Sequence, residues 1–230
     1  MTSPELVIFR DIPFPFDRAA FDRHIQLERF PSCEEAADRL VGAALERSRP
    51  KAILKVSYVE DRQGDSLCLD GVRFESRVLS RNLAEVERVF PYVATCGTEL
   101  DELSTDGGDI LAAYWLDVFK EMALEAAVRH LRTTVRERFA LQGFSSMNPG
   151  SGDRNVWPIA QQRPLFSLLG PVEERIGVRL TASFLMVPNK SVSGLFFPTD
   201  VPFESCQLCT RPDCPRRRAP YVGPLADIHP

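Results

Sequence analysis

Three cysteines fall within nine positions near the end of this 230-residue chain, in the run CQLCTRPDC from Cys206 to Cys214. A C-x2-C pair in a tight turn suits bidentate capture of a soft metal. Cys206, Cys209 and Cys214 are together close enough in sequence to converge on one centre. A fourth ligand would close a tetrahedral zinc site or complete a four-iron cluster. Cys96, at the end of the apolar run YVATCG, is the first choice, with Cys68 and Cys33 as fallbacks. Three chemistries stand open: thiols without metal, structural zinc, and a 4Fe-4S cluster. The Cys214-Pro215 ending echoes the Cys-Pro that closes ferredoxin-type runs, and this favours iron–sulfur.

Two further stretches carry groups able to meet a ligand. The loop Asn148-Pro149-Gly150-Ser151-Gly152-Asp153 offers two glycines, small hydroxyls and backbone amides that can approach an anion or carboxylate. The run KSVSG places Lys190, Ser191 and Ser193 at a strand start, where they would line a pocket or sit on an edge. Asp117, Glu121 and Glu125 lie at i, i+4 and i+8 and so share one helix face. Asp117 stands among apolar neighbours and needs a partner if buried. His24, His130 and His229 form no arrangement with a nucleophile.

The elements that must position these groups read as a mixed set. Glu34 to Arg47 has helical apolar spacing and ends before Pro50. Ala52 to Glu60 reads as a strand, and Gly71 to Ser76 as another after a Gly/Asp turn. Tyr92 to Gly97 is a short apolar strand. Ile110 to Phe139 has neither Gly nor Pro, so a helix of about 40 Å is expected, its first half apolar nearly all round and buried. Pro158 to Leu169 reads as a short helix, VRLTASFLMVP as a strand, and Lys190 to Pro198 as its partner. Pro13 and Pro15 mark the N-terminal segment as an extended arm. The order of elements gives an α+β class.

Apolar residues make up 44% of the chain and charged residues 26%, enough to fill a core. A formal net charge of −4 argues against general affinity for nucleic acid or an anionic membrane. No run approaches the roughly 18 apolar residues of a membrane span. The N-terminus lacks the basic-then-apolar order of a secretory signal, so a cytoplasmic location is expected, where thiols or metal ligands outnumber disulfides.

The strings NPGSGDRNVWPIAQQRPLFSLL and IGVRLTASFLMVPNKSVSGLFF together resemble the activation domain of cobalamin-dependent methionine synthase and its free-standing homologues. The matching positions are Pro149-Gly150, Trp157-Pro158, Gln162, Leu165-Phe166, Leu180-Thr181, Ser183, Met186, Pro188 and Ser191-Val192-Ser193-Gly194. The segment from Ala94 to Leu103 and the long helical stretch follow the family's order, and the resemblance spans roughly residues 35 to 200. It implies a twisted antiparallel sheet flanked by helices, with residues 1–200 as the domain and 201–230 as a cysteine-bearing tail packed on it.

The same resemblance implies a corrinoid, presented by a corrinoid protein or a cobalamin-dependent methyltransferase, and reductive reactivation of it. It also implies S-adenosylmethionine at the proline–glycine loop, through Asn148, Pro149, Gly150 and Ser151 with Glu125, Lys190 and Ser191 nearby. The family writes that loop R-x-x-P-G-Y. Here the arginine position is Ser146 and the tyrosine position Ser151, so only Pro149 and Gly150 match. Three functions follow: electron transfer to a corrinoid through an iron–sulfur cluster, adenosylmethionine binding for remethylation, and a non-enzymatic docking module holding zinc.

Overall fold

The computed structural model describes residues 5–103, 109–152, 156–214 and 217–223. Its architecture is α+β. The main sheet is antiparallel throughout, and its central strand is β6 (Arg88–Thr95), whose residues are buried from Val89 onward. β10 (Ser191–Pro198) pairs along one edge of β6, with Tyr92 opposite Gly194 and Phe90 opposite Phe196. β7 (Phe144–Met147) pairs with the far side of β10. The other edge of β6 takes β2 (Lys51–Lys55) and then β3 (Ser57–Gln63), and β1 (Leu6–Phe9) lies outside β2. β3, β4 (Ser66–Leu69) and β5 (Val72–Glu75) continue as a meander.

Alternation along β10 divides the core between the two faces of the sheet. Leu195 and Phe197 join Ile53, Val93, Met147 and Trp157 beneath α3 (Arg77–Asn82), α5 (Gln162–Leu169) and α6 (Val172–Ile176). Phe196 and Val192 face the other way with Leu54, Phe90 and Tyr92, against Ala127, Leu131 and Val135 of α4 (Ile110–Arg138). The N-terminal half of α4 packs with α1 (Arg18–Ile25) and α2 (Glu34–Arg47) around Phe21, Val41, Cys96, Trp115 and Phe119. Each such large side chain contributes about 1.5–3 kcal/mol on burial, so α4 ties two clusters into one body.

Several elements depart from expectation, each for a local reason. The stretch expected as one strand from Ala52 to Glu60 breaks at Val56, whose N–H turns to the Glu5 carbonyl. VRLTASFLMVP forms only β8 (Arg179–Leu180) and β9 (Met186–Val187). Between them the Thr181 hydroxyl accepts from Leu185 N–H, and Phe184 takes a left-handed φ of 63°. The first half of α4 is not buried all round: Ile110 is 85% exposed and Tyr114 49%. β1, β7, α1, α3 and α6 were not anticipated. Among the described residues no helix is long and apolar enough to cross a membrane.

The Asp70-Gly71 turn joins β4 to β5 with both residues at positive φ, as a two-residue hairpin with this sequence requires. Asp70 also accepts from Tyr58 N–H at 3.0 Å and pairs with Lys55 at 2.9 Å. Burial alone would raise its carboxyl. The Tyr58 amide, the Lys55 ammonium and the Ser57 hydroxyl outweigh that and hold it below the usual range. A depressed carboxyl stabilises the fold above its unfolded pKa, and this is lost as pH falls through the folded value. Asp70→Asn, which keeps the turn conformation, is therefore expected to cost about 1 kcal/mol at neutral pH, or about 2–4 °C in Tm. The gap should close on acidification in thermal melts. A gap constant with pH would show that the charge is not the cause.

Candidate functional site

The proline–glycine loop leaves the end of β7 and is anchored by Asn148. The Asn148 amide donates to the Tyr92 hydroxyl and to the Ser193 carbonyl, each at 2.8 Å. It fits there because residue 194 is glycine: a Cβ at Gly194 would stand 2.4 Å from Asn148 Nδ2 and 2.5 Å from the Met147 carbonyl. Pro149 is buried, and Gly150 turns the chain at φ 80°. Two of the amides expected to hold an anion are already committed. Gly150 N–H donates to the Trp157 carbonyl at 2.8 Å, and Ser151 N–H to the Asn148 carbonyl at 3.0 Å. Asp153 lies outside the described residues.

Other expected ligand groups are held by the scaffold. Lys190 reaches across to α4 and pairs with Asp117 at 2.8 Å and Glu121 at 3.2 Å. Desolvation works against its ammonium, but the two carboxylates prevail and raise its pKa. Asp117 is thus half-exposed and paired. The Ser191 hydroxyl donates to the Pro188 carbonyl at 2.8 Å and meets Thr95 Oγ1 at 2.9 Å. Glu125 is exposed on α4. Ser146, at the arginine position of the family loop, is buried in β7 opposite Phe196.

The C-terminal segment lies directly against the loop. Phe203 N–H donates to Ser145 Oγ at 2.8 Å, and the Phe203 and Leu208 side chains enter the core beside Met147 and Trp157. A Cβ at Gly152 would stand 3.0 Å from the Ser205 carbonyl, so tail and loop are in contact. Glu204 pairs with Arg218 at 3.0 Å. Their charges, with that of Arg132 on α4, act on the buried Tyr92 hydroxyl. Burial pushes that hydroxyl up, against the Asn148 donor and the two guanidinium groups. Arg132 lies 4.8 Å from the Phe144 ring centre and 5.8 Å from that of Phe196, and Tyr92 stacks on Phe196 at 4.2 Å.

Tyr92, Arg132, Glu204, Arg218 and Arg217, whose guanidinium donates to the carbonyls of Cys206, Cys209, Arg211 and Ala219, were not anticipated from the sequence. The only local cue was the arginine triplet beside the cysteines.

Cys206, Cys209 and Cys214 are half-buried free thiols on this segment, and Pro215 lies outside the described residues. Ser205–Leu208 forms a single 3-10 turn, capped reciprocally by Glu204 and Gln207. Cys96 is not brought to them. It sits fully buried among α1, α2 and α4, its thiol in contact with the Gly97 carbonyl at 3.4 Å. Desolvation pushes this thiol up to about 12, the behaviour of an inert buried cysteine. Cys68, the first fallback, lies beside Glu60, and burial with that carboxylate raises its thiol too. Among the described residues no group of three or more His, Cys, Asp or Glu side chains is gathered as a metal site.

Alkylation of the folded, metal-free protein by iodoacetamide, mapped by mass spectrometry, should therefore label Cys206, Cys209 and Cys214 and leave Cys96 unmodified until the chain unfolds. Labelling of Cys96 at the rate of the tail thiols would contradict its placement.

Residues 117–202 match the family model described as vitamin B12 dependent methionine synthase, activation domain. Among solved structures, a crystal structure of the MetH reactivation domain bound to AdoHcy superposes with a TM-score of 0.57 at 17% identity. That alignment covers 88% of this chain and 80% of the other. No curated protein matches the chain in sequence.

Proposed function

We propose, for a chain that is methionine synthase activation domain-like in sequence and fold, that it serves the reductive reactivation of a corrinoid held by a partner methyltransferase or corrinoid protein. Cys206, Cys209 and Cys214 would hold an iron–sulfur cluster as thiolate ligands, and such a cluster would supply the electron. The observation that supports this reading is the seating of the cysteine segment on the proline–glycine loop, through Ser205 on Gly152 and Phe203 on Ser145. The family model that matches describes the activation domain of a vitamin B12 dependent methionine synthase, and the loop the tail rests on lies within the matched residues.

A reduced cluster held there would supply the one electron that takes a partner's cob(II)alamin to cob(I)alamin, and an external low-potential donor would be needed to restore it. Cys96 is committed to the core, so the chain supplies three thiolates and the remaining coordination position falls to another group. The loop must draw its thiols together when the cluster is assembled.

Anaerobic reconstitution with ferrous iron and sulfide tests this. Brown protein that bleaches with dithionite, with about four irons and four sulfides per chain, is expected. Serine at 206, 209 or 214 should each lower the iron content severalfold, and Cys96→Ser should leave it unchanged. Reduced protein should then convert cob(II)alamin to cob(I)alamin, followed by absorbance. A colourless protein carrying one zinc per chain would instead identify a docking module with a structural metal.

A second reading is favoured by one observation: the similar MetH domain was crystallised with AdoHcy, and this chain keeps Pro149-Gly150. The remaining loop residues do not fit a carboxylate-bearing nucleoside of that kind. Serine at 146 cannot supply a bidentate fork, Ser151 gives no aromatic platform, and the amides of Gly150 and Ser151 are satisfied within the loop. Calorimetric titration with AdoHcy is expected to show no binding tighter than about 1 mM. Saturation at micromolar concentration would establish the second reading in place of this one.

A further inference from the structure

Four aromatic rings run in contact along the α4 face of the sheet. Phe139 packs on Phe90 with ring centres 4.5 Å apart, and Phe90 stands opposite Phe196 in the β6–β10 register. Phe144 meets Phe196 edge-on at 5.7 Å. Phe90 and Phe196 are buried, whereas Phe139 and Phe144, at the two ends of the seam, are half-buried. Three guanidinium groups lie over these rings. Arg88 is 5.0 Å from the Phe139 centre and 5.5 Å from that of Phe90. Arg132 and Arg136, one turn apart on α4, both lie over Phe144, at 4.8 Å and 5.5 Å.

Among the described residues none of these three cations has an ion-pair partner or a hydrogen-bond acceptor for its guanidinium. Cations close by are neutralised: Arg138 by Glu5, Arg218 by Glu204, and Lys190 by Asp117 and Glu121. Glu137, next to Arg136 in sequence, is exposed and pairs with none of the three. Stacking on a ring occupies the face of a guanidinium and leaves its N–H donors unused. Covering a ring end takes one cation, yet Phe144 carries two. Like charges so placed repel unless an anion lies between them.

The surroundings bound the patch and select its occupant. Arg88 also lines a groove of about 900 Å³ whose rim carries the exposed carboxylates of Glu85, Glu87 and Asp200. An anion reaching past Arg88 would meet those acids, so the footprint ends there. The net charge of −4 on the chain opposes a long polyanion such as nucleic acid. An acidic stretch of protein needs only the local patch.

We propose that Arg88, Arg132 and Arg136, held over the Phe139–Phe90–Phe196–Phe144 seam, form a docking surface for an acidic segment of a partner protein. This rests on the reading of the chain as one that serves a partner protein, and it does not require the cysteines to hold metal. The rings restrict each guanidinium before the partner arrives, so less freedom is lost on binding, and the planar fork meets a carboxylate through two bonds. Arginine and aromatic side chains together are what the centres of protein interfaces are enriched in.

The test uses fluorescein-labelled octaglutamate as the probe and the full-length chain, followed by fluorescence anisotropy. At about 20 mM salt a Kd below about 100 μM is expected, weakening at least tenfold at about 200 mM. Replacing Arg88, Arg132 and Arg136 together by Gln should weaken binding at least tenfold. The same charge change at Arg23, Arg47 and Arg179, exposed residues of α1, α2 and β8, should weaken it less than twofold. Arg136→Gln alone, an exposed change that leaves the fold intact, should cost about threefold. In wild type, which needs no variant, the amide resonances that move on titration should cluster at residues 88–90 and 132–144.

Absence of binding at low salt overturns the proposal, as does equal weakening by the control triple variant. Full displacement by an equal concentration of inorganic phosphate would make this a small-anion site and overturn the protein occupant. Tighter binding of a duplex DNA would overturn it in favour of nucleic acid. Iron reconstitution and cob(II)alamin reduction are read separately, so failure of the reactivation reading and failure of this surface are distinct results.

Discussion

The whole site depends on a missing Cβ. Gly194 faces Tyr92 across the β6–β10 pair, and the side-chain amide of Asn148 occupies the space a larger residue would fill. From that position Asn148 bonds both the central strand, through Tyr92, and β10, through the Ser193 carbonyl. The loop therefore departs from the sheet at a fixed angle. Its turn at Gly150 follows from that departure, as does the contact of Gly152 with Ser205. A buried tyrosine hydroxyl without a donor or acceptor would be costly, so the Asn148 bond also makes Tyr92 tolerable in the core.

The long helix supplies the second constraint. Lys190, at the start of β10, reaches Asp117 and Glu121 one turn apart on α4. The acids that stood out in the sequence as possible ligands instead fix the height of the helix over the sheet. Arg132, four turns further on, lies over Phe144 and Phe196 on that same face. One end of the helix is held by charge and the other by cation–π and apolar contact, and the tail arrives where the second end meets β7.

How much of this was legible depended on whether an element carried its own pattern. The 29 residues of α4 have no breaker, and β10 has eight residues of apolar and small side chains, so both were readable. β7 was not: FSSM carries no alternation, and it is a strand only because β10 presents an open edge. The stretch after Val178 carried strand-like residues, but a threonine hydroxyl and one left-handed phenylalanine broke it into a turn. The tail cysteines declared themselves by spacing. The misassignment of Cys96 as their fourth ligand had a physical origin, since a strand end indicates exposure to a loop and says nothing of which helices close over it. Arg217 was equally hidden, because four main-chain acceptors leave no trace in a sequence.

β7 and the tail meet around one aromatic pair, Tyr92 stacked on Phe196. Ser146 pairs with Phe196 across the strands, so their side chains share a face, and on that face Arg132 already lies over Phe196. The tail brings Arg218 to the same region, paired with Glu204. An arginine at 146 would add a third guanidinium to the surroundings of Tyr92, on which Arg132 and Arg218 already act, and like charges at such range disfavour one another. Serine at 146 adds no charge there, and the positive charge felt at Tyr92 comes from Arg132 on α4 and Arg218 on the tail.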